Sequence, residues 1–147
     1  MNYKTTIEVK SSQKNTFKAV SKELNKWWGR VDNSDINKVG DIFSVYFEDT
    51  EWQFEITKFS MHDEIHWKCI FSNHTVPGLE NVKEEWLNTE IVWKLKEVEE
   101  GVEISFEHVG LTPALNCYDV CNNGWDFFIN SLKDYLENEG GSPRIVE

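Results

Sequence analysis

The segment from Thr112 to Asn138 constrains this chain more than any other. Its apolar residues Leu115, Tyr118, Cys121, Trp125, Phe128, Ile129, Leu132 and Leu136 fall mostly at steps of three and four, which puts them on one side of a helix. Thr112 is a suitable N-cap, and Pro113 occupies the first helical position, where its missing N–H costs nothing. Gly140, Gly141 and Pro143 stop the run. A helix of roughly 26 residues spans about 39 Å, enough to cross a small domain. Its apolar stripe therefore needs a large partner surface. Gly124 sits mid-run and costs about 1 kcal/mol against Ala, so the expectation there is a close approach to that partner or a bend.

The partner surface is a sheet. Tyr3, Thr5, Ile7 and Val9 alternate with Lys4, Thr6, Glu8 and Lys10, as in a half-buried strand. Ser11 and Ser12 are caps for a short helix over Gln13–Val20, and a second helical stretch runs from Ser21 to Trp28 and ends at Gly29. Val39–Phe47 reads as the next strand. Asp49 and Thr50 turn the chain into a strand with Trp52, Phe54 and Ile56 on one face. After His62-Asp63-Glu64, the residues Ile65, Trp67, Cys69 and Phe71 share the face of another. Asn73–Lys83 carries Pro77-Gly78 and no period. It is a loop longer than an ordinary hairpin connection and a candidate rim or lid. From Trp86 to Val98 the residues Thr89, Ile91, Trp93 and Leu95 share a face, and past the Glu99-Glu100-Gly101 turn so do Val102, Ile104, Phe106 and His108. The expected class is α+β. Six curved antiparallel strands carry two short helices after the first, and the long C-terminal helix covers the apolar face. No linker, repeat or low-complexity tract divides residues 1–147, so one domain is expected.

Composition narrows the function. Fifteen Lys and Arg against 26 Asp and Glu give a net charge of −11, which repels phosphate backbones and anionic membranes. Nucleic acid is not the expected partner. No apolar run approaches the roughly 20 residues of a membrane span, and Met1 to Thr6 hold no apolar signal core. Three cysteines, Cys69, Cys117 and Cys121, suit a reducing cytoplasm better than a disulfide framework. Seven Trp, nine Phe and four Tyr supply either a dense core or a cavity walled by flat rings, since each buries about 150–250 Å2. Composition leaves both open.

The stretch Ile104-Ser105-Phe106-Glu107-His108-Val109-Gly110-Leu111-Thr112-Pro113, the pair Gly124-Trp125, and the following Ser131-Leu132 and Tyr135-Leu136 resemble the START-like (SRPBCC) superfamily. The branch most similar is that of the heat-shock-protein-90 ATPase activator C-terminal domain. Trp27-Trp28 and the order of elements fit it over nearly the whole chain. The resemblance implies the helix-grip fold, in which a curved sheet wraps a C-terminal helix around a deep apolar cavity. It implies binding of lipids or other hydrophobic compounds, or, for the activator branch, contact with a chaperone.

The inward faces offer Phe54, Trp67, Phe71, Trp93, Phe106, His108, Cys121 and Trp125 as ligand-binding residues. His108 is read either as a core histidine bonded to a backbone carbonyl or as a polar anchor for a ligand. Cys117 and Cys121 lie one helical turn apart with His108 nearby, but three soft donors do not complete the usual four of structural zinc. No metal and no cofactor are therefore expected. No nucleophile with a base, inward carboxylate pair or phosphate loop is present, and Glu84 and Glu85, at the loop end within reach of the cavity mouth, read as solvated. The expected function is non-catalytic binding of a small hydrophobic molecule near Cys121 and Trp125, under Trp93, Phe106 and His108. The alternatives are a chaperone-contact module and, third, an enzyme acting on a hydrophobic molecule. The chain is expected to be a monomer or homodimer.

Overall fold

In a computed structural model, which describes residues 1–144, the alternation seen in the sequence becomes one curled antiparallel sheet. Its strands are β1 (Tyr3–Val9), β2 (Arg30–Val31), β3 (Ile42–Phe47), β4 (Thr50–Ser60), β5 (Glu64–Asn73), β6 (Glu90–Val98) and β7 (Gly101–Val109). They lie in the order β1-β7-β6-β5-β4-β3-β2. Strands β2 to β7 are a meander, and β1 closes the far edge by pairing with β7, Tyr3 opposite His108 and Val9 opposite Val102. The sheet has seven strands where six were expected. The additional strand, β2, has two residues, too few to show alternation. It pairs Arg30 with Tyr46 and Val31 with Val45, and the Arg30 guanidinium lies 4.3 Å from the Tyr46 ring centre.

The first short helix, α1 (Gln13–Ala19), starts where expected, with the Ser12 hydroxyl accepting the Asn15 N–H at 3.0 Å. The second is a single 3-10 turn over Leu24–Lys26. The long helix, α2, spans Tyr118–Asn138. It ends as the sequence indicates, with Glu139 in the left-handed region at φ 57°, but it begins six residues later than Thr112. Thr112–Cys117 instead makes turns, with Leu115 N–H bonded to the Thr112 carbonyl and Tyr118 N–H to that of Leu115. The capping is done from elsewhere in the chain. The Glu85 carboxylate accepts Asn116 N–H at 2.8 Å and Cys117 N–H at 2.9 Å. An anion at that end also complements the helix dipole. Glu85 is thus a structural cap, not a merely solvated group.

The side of α2 that carries Cys121, Trp125, Ile129, Ser131 and Leu132 is buried against the concave face of the sheet. No helix of the described residues is long and apolar enough to cross a membrane.

The candidate functional site

The space between α2 and the sheet has two halves. In the half under β6 and β7, rings fill it. Trp93 meets Phe106 at 4.6 Å between centroids, Phe106 meets Trp125 at 4.5 Å, and Trp27 meets Trp93 at 5.8 Å. In the half toward the β3–β4 hairpin and the 74–77 loop, a groove of about 620 Å3 remains open, inside the usual range for small-molecule sites.

Its walls come from five places, one of them the segment Ser142, Pro143 and Arg144 after α2. Phe47 and Trp52 stand at the tip of the β3–β4 hairpin. His74, Val76 and Trp86 come from the long β5–β6 connection. Cys121, Gly124, Trp125, Phe127 and Phe128 are on α2, and Trp28 follows the 3-10 turn. The indoles are arranged in a succession of near-parallel faces. Trp52 lies on Trp86 at 3.8 Å and 10°, Trp86 beside Trp125 at 5.9 Å and 11°, Trp125 beside Trp28 at 5.3 Å and 24°, and Trp28 beside Trp67 at 5.6 Å and 22°. Offset stacking of this kind contributes about 0.5–1.5 kcal/mol per pair beyond burial. It also leaves flat walls.

A buried polar relay ties the Trp125 ring to the Trp86 backbone. Trp125 Nε1 donates to His108 Nδ1 at 3.1 Å. His108 Nε2 lies 2.9 Å from Thr89 Oγ1, which donates to the Trp86 carbonyl at 2.6 Å. With the Thr89 proton committed to that carbonyl, its oxygen accepts from Nε2–H, so His108 is the neutral Nε2–H tautomer. Burial pushes its pKa down to about 3. Both ring nitrogens are taken, so His108 positions Trp86 and Trp125 and has no atom left for a ligand. It has partners on both sides, where the sequence suggested a backbone carbonyl or a ligand.

The other expected wall residues divide. Cys121 and Trp125 line the groove. Phe54, Trp67, Trp93 and Phe106 are inward but packed solid behind it, at 0–2% exposure. Phe71 is on the outer face, 44% exposed. The reason is a bulge. Phe54 pairs with Cys69 while Gln53 pairs with Phe71, leaving Ile70 unmatched. One extra residue reverses the alternation, so Ser72 turns inward and is buried where Phe71 was expected. Gly124 also departs from expectation. A Cβ built there meets nothing within 4 Å, so this glycine faces open groove and makes no close approach to the sheet.

The expected set omits most of the groove lining, including Trp28, Trp52, Trp86 and His74. Trp52 shares a face with Phe54 in the alternation and was available to the sequence reading. Trp86 belongs to the turn before β6, which starts at Glu90 and not at Trp86, so no periodicity marks it. His74 is the first residue after β5. Its backbone N–H bonds the Lys83 carbonyl, and Thr50 and Thr75 exchange hydrogen bonds beside it.

His74 also corrects the expected grouping of the soft donors. It is His74, not His108, that joins Cys117 and Cys121, their donor atoms all lying within 4.8 Å of one another. The Cys121 thiol donates to Cys117 Sγ at 2.9 Å, and Trp86 Nε1 donates to Cys121 Sγ at 3.3 Å. The hydrogen bond from Cys121 draws the Cys117 thiol below its usual range, against the opposing effect of burial, with His74 adding to the same direction. The same bond raises Cys121, and burial raises it further. Cys69 stands apart on β5, its thiol pushed up to about 12 by burial.

A curled antiparallel sheet gripping a C-terminal helix, with an apolar groove opening between them, is the helix-grip arrangement of the START-like (SRPBCC) superfamily that the Gly124-Trp125 region resembles. No family model and no curated protein matches the sequence itself. Among solved structures the chain is similar to the Aha1 dimer from Colwellia psychrerythraea, at 26% identity and a TM-score of 0.78, over 96% of this chain and 99% of that one. It is also similar in fold to MLL2253 from Mesorhizobium loti, at 16% identity and a TM-score of 0.74, over 92% and 96% of the two chains. DynU16, from the dynemicin biosynthetic locus, is 15% identical with a TM-score of 0.73, over 95% of this chain and 48% of that one.

Proposed function

We propose that this protein binds a small, flat, largely apolar molecule, without catalysis, in the groove between α2 and the β3–β4 hairpin. The observation that supports it is the run of parallel indoles Trp52, Trp86, Trp125 and Trp28 beside about 620 Å3 of open space. Flat walls favour a planar guest, and Cys121 and Trp125, which line the groove, are among its proposed contacts. The test is a titration of the full chain with Nile red, read by dye emission and by quenching of tryptophan fluorescence, with native mass spectrometry for co-purifying compounds. Saturable binding at one site supports the reading. Absence of saturable binding, with no co-purifying compound, overturns it.

The likeness to the Aha1 dimer favours a second reading, a protein-contact module that self-associates. It is tested by light scattering across a concentration series, and by a saturable change in the ATPase rate of a heat-shock-protein-90 chaperone. A cytoplasmic setting is consistent with three buried cysteines in free form.

A further inference from the structure

The geometry points to a divalent-metal site of the zinc class formed by His74, Cys117 and Cys121, with its fourth coordination position open to the groove.

Three features carry this. The first is the donor set. Two thiols and an imidazole, all buried, converge within 4.8 Å, and two thiolates with one histidine are a known three-ligand set for a zinc ion that keeps a position for water or a guest. The second is an unmet need. His74 Nδ1 is buried with no hydrogen-bond partner, although His74 is only 7% exposed. Leaving a buried polar nitrogen unsatisfied costs about 1–3 kcal/mol. The third is support from the surroundings. The His74 backbone is tied to Lys83, its ring packs against Trp52 at 4.8 Å, and Trp86 Nε1 donates to Cys121 Sγ. Hydrogen bonds to ligand atoms from the surrounding shell orient them and tune the ion.

The site is closed on one side and open on the other. His74 and Cys121 both line the groove, so a guest held there reaches the fourth position. The Glu85 carboxylate is engaged by the N–H groups of Asn116 and Cys117. Around a tetrahedral ion with Zn–S bonds of about 2.3 Å the two sulfurs stand roughly 3.8 Å apart, so the pair at 2.9 Å opens by a small side-chain rotation. Binding replaces two thiol protons with one divalent ion, so those protons leave to solvent. No redox step is involved. The site does not depend on the groove having an organic ligand, and its test is independent of the Nile red titration.

The experiment is Co2+ titration of the reduced, full-length protein, followed by Zn2+ competition. The expected result is one equivalent of Co2+ with a thiolate-to-cobalt charge-transfer band and intense tetrahedral d–d bands, displaced by Zn2+. Loss of even an outer-shell partner costs about 10–100-fold in affinity, so Cys117→Ala, Cys121→Ala and His74→Gln are each expected to weaken binding at least about 100-fold. Cys69→Ala is expected to leave it unchanged. X-ray absorption on zinc-loaded wild type reads the same site without any variant, and the expected shell contains two sulfurs. An all-nitrogen-and-oxygen shell, weak octahedral cobalt bands, or binding that survives in folded Cys117→Ala and Cys121→Ala would each overturn the assignment.

Discussion

Gly124→Ala is expected to stabilise this protein, which is unusual for a substitution beside a binding groove. Gly124 lies within α2, seven residues into a helix that runs from Tyr118 to Asn138. Glycine there costs about 0.8–1.0 kcal/mol relative to alanine, because it gives up more backbone freedom on folding. The gain is realised only if the new methyl group fits, and a Cβ at this position meets nothing within 4 Å. At about 2.1 cal/mol/K per residue, the unfolding entropy of a 147-residue chain is about 0.3 kcal/mol/K, so the melting temperature rises by about 3 °C. Calorimetry at fixed pH measures it. Gly124→Leu keeps the helix gain and extends a branched side chain into the space that the proposed guest occupies. Nile red affinity then falls at least about tenfold, or about 1.4 kcal/mol, while the melting temperature does not fall below that of wild type. A Gly124→Ala variant that melts lower than wild type refutes the reasoning, because it means that the helix is strained there or that the space is filled.

Three further perturbations probe the groove's supports. His108 has a folded-state pKa depressed from 6.5 to about 3 by burial, so the unfolded chain binds its proton first and stability falls as pH drops below about 6.5. Between pH 7 and 5 this amounts to about 2 kcal/mol, and in urea titrations the difference between those pH values is expected to be smaller by that amount in His108→Gln than in wild type. Glu85→Ala removes two charge-assisted bonds to Asn116 and Cys117. A loss of about 1–2 kcal/mol is expected in urea unfolding, with slower-exchanging amides at the start of α2 becoming fast. Phe71→Ser is expected to change stability by no more than about 0.5 kcal/mol, since Phe71 is on the outer face. Phe54→Ala, fully buried, costs about 3–5 kcal/mol, and equal costs for the two would contradict the bulge at Ile70.

Much of the fold was legible because two periods dominate it. The alternations in β1, β4, β6 and β7 and the threes and fours of α2 each bury one face, and nothing in the sequence competes with them. The errors lie where a local pattern is broken by a partner distant in sequence. Phe71 reads as inward until the register slip between Gln53 and Phe54 is known, and that slip depends on how two strands pair. Thr112-Pro113 has the composition of a helix start, yet the carboxylate of Glu85 takes the N–H groups of Asn116 and Cys117, and the helix begins with Tyr118. Trp86 and His74 were invisible for a related reason. Residues on connections have no period, so their burial follows from where the loop is tied and not from their neighbours in sequence.

The same division explains why the groove is where it is. The expected location, under Trp93, Phe106 and His108, is the part of the sheet where β6 and β7 alternate without interruption, and regular alternation delivers interlocking rings that fill the space. The open half coincides with the irregular parts: the bulged end of β5, the long connection after it, and the glycine in α2. The connection after β5 lines the groove with His74, Thr75 and Val76, and Gly124 presents no side chain from the helix. A side chain is thereby absent from the helix wall, while the His108–Thr89 relay ties the Trp125 ring to the Trp86 backbone beside it. The volume is therefore a consequence of sequence irregularities that would otherwise look like defects. If so, filling it from the β5–β6 connection should act as filling it from the helix does. Val76→Trp is expected to lower Nile red affinity as Gly124→Leu does, and unchanged affinity in both would mean that the dye binds elsewhere.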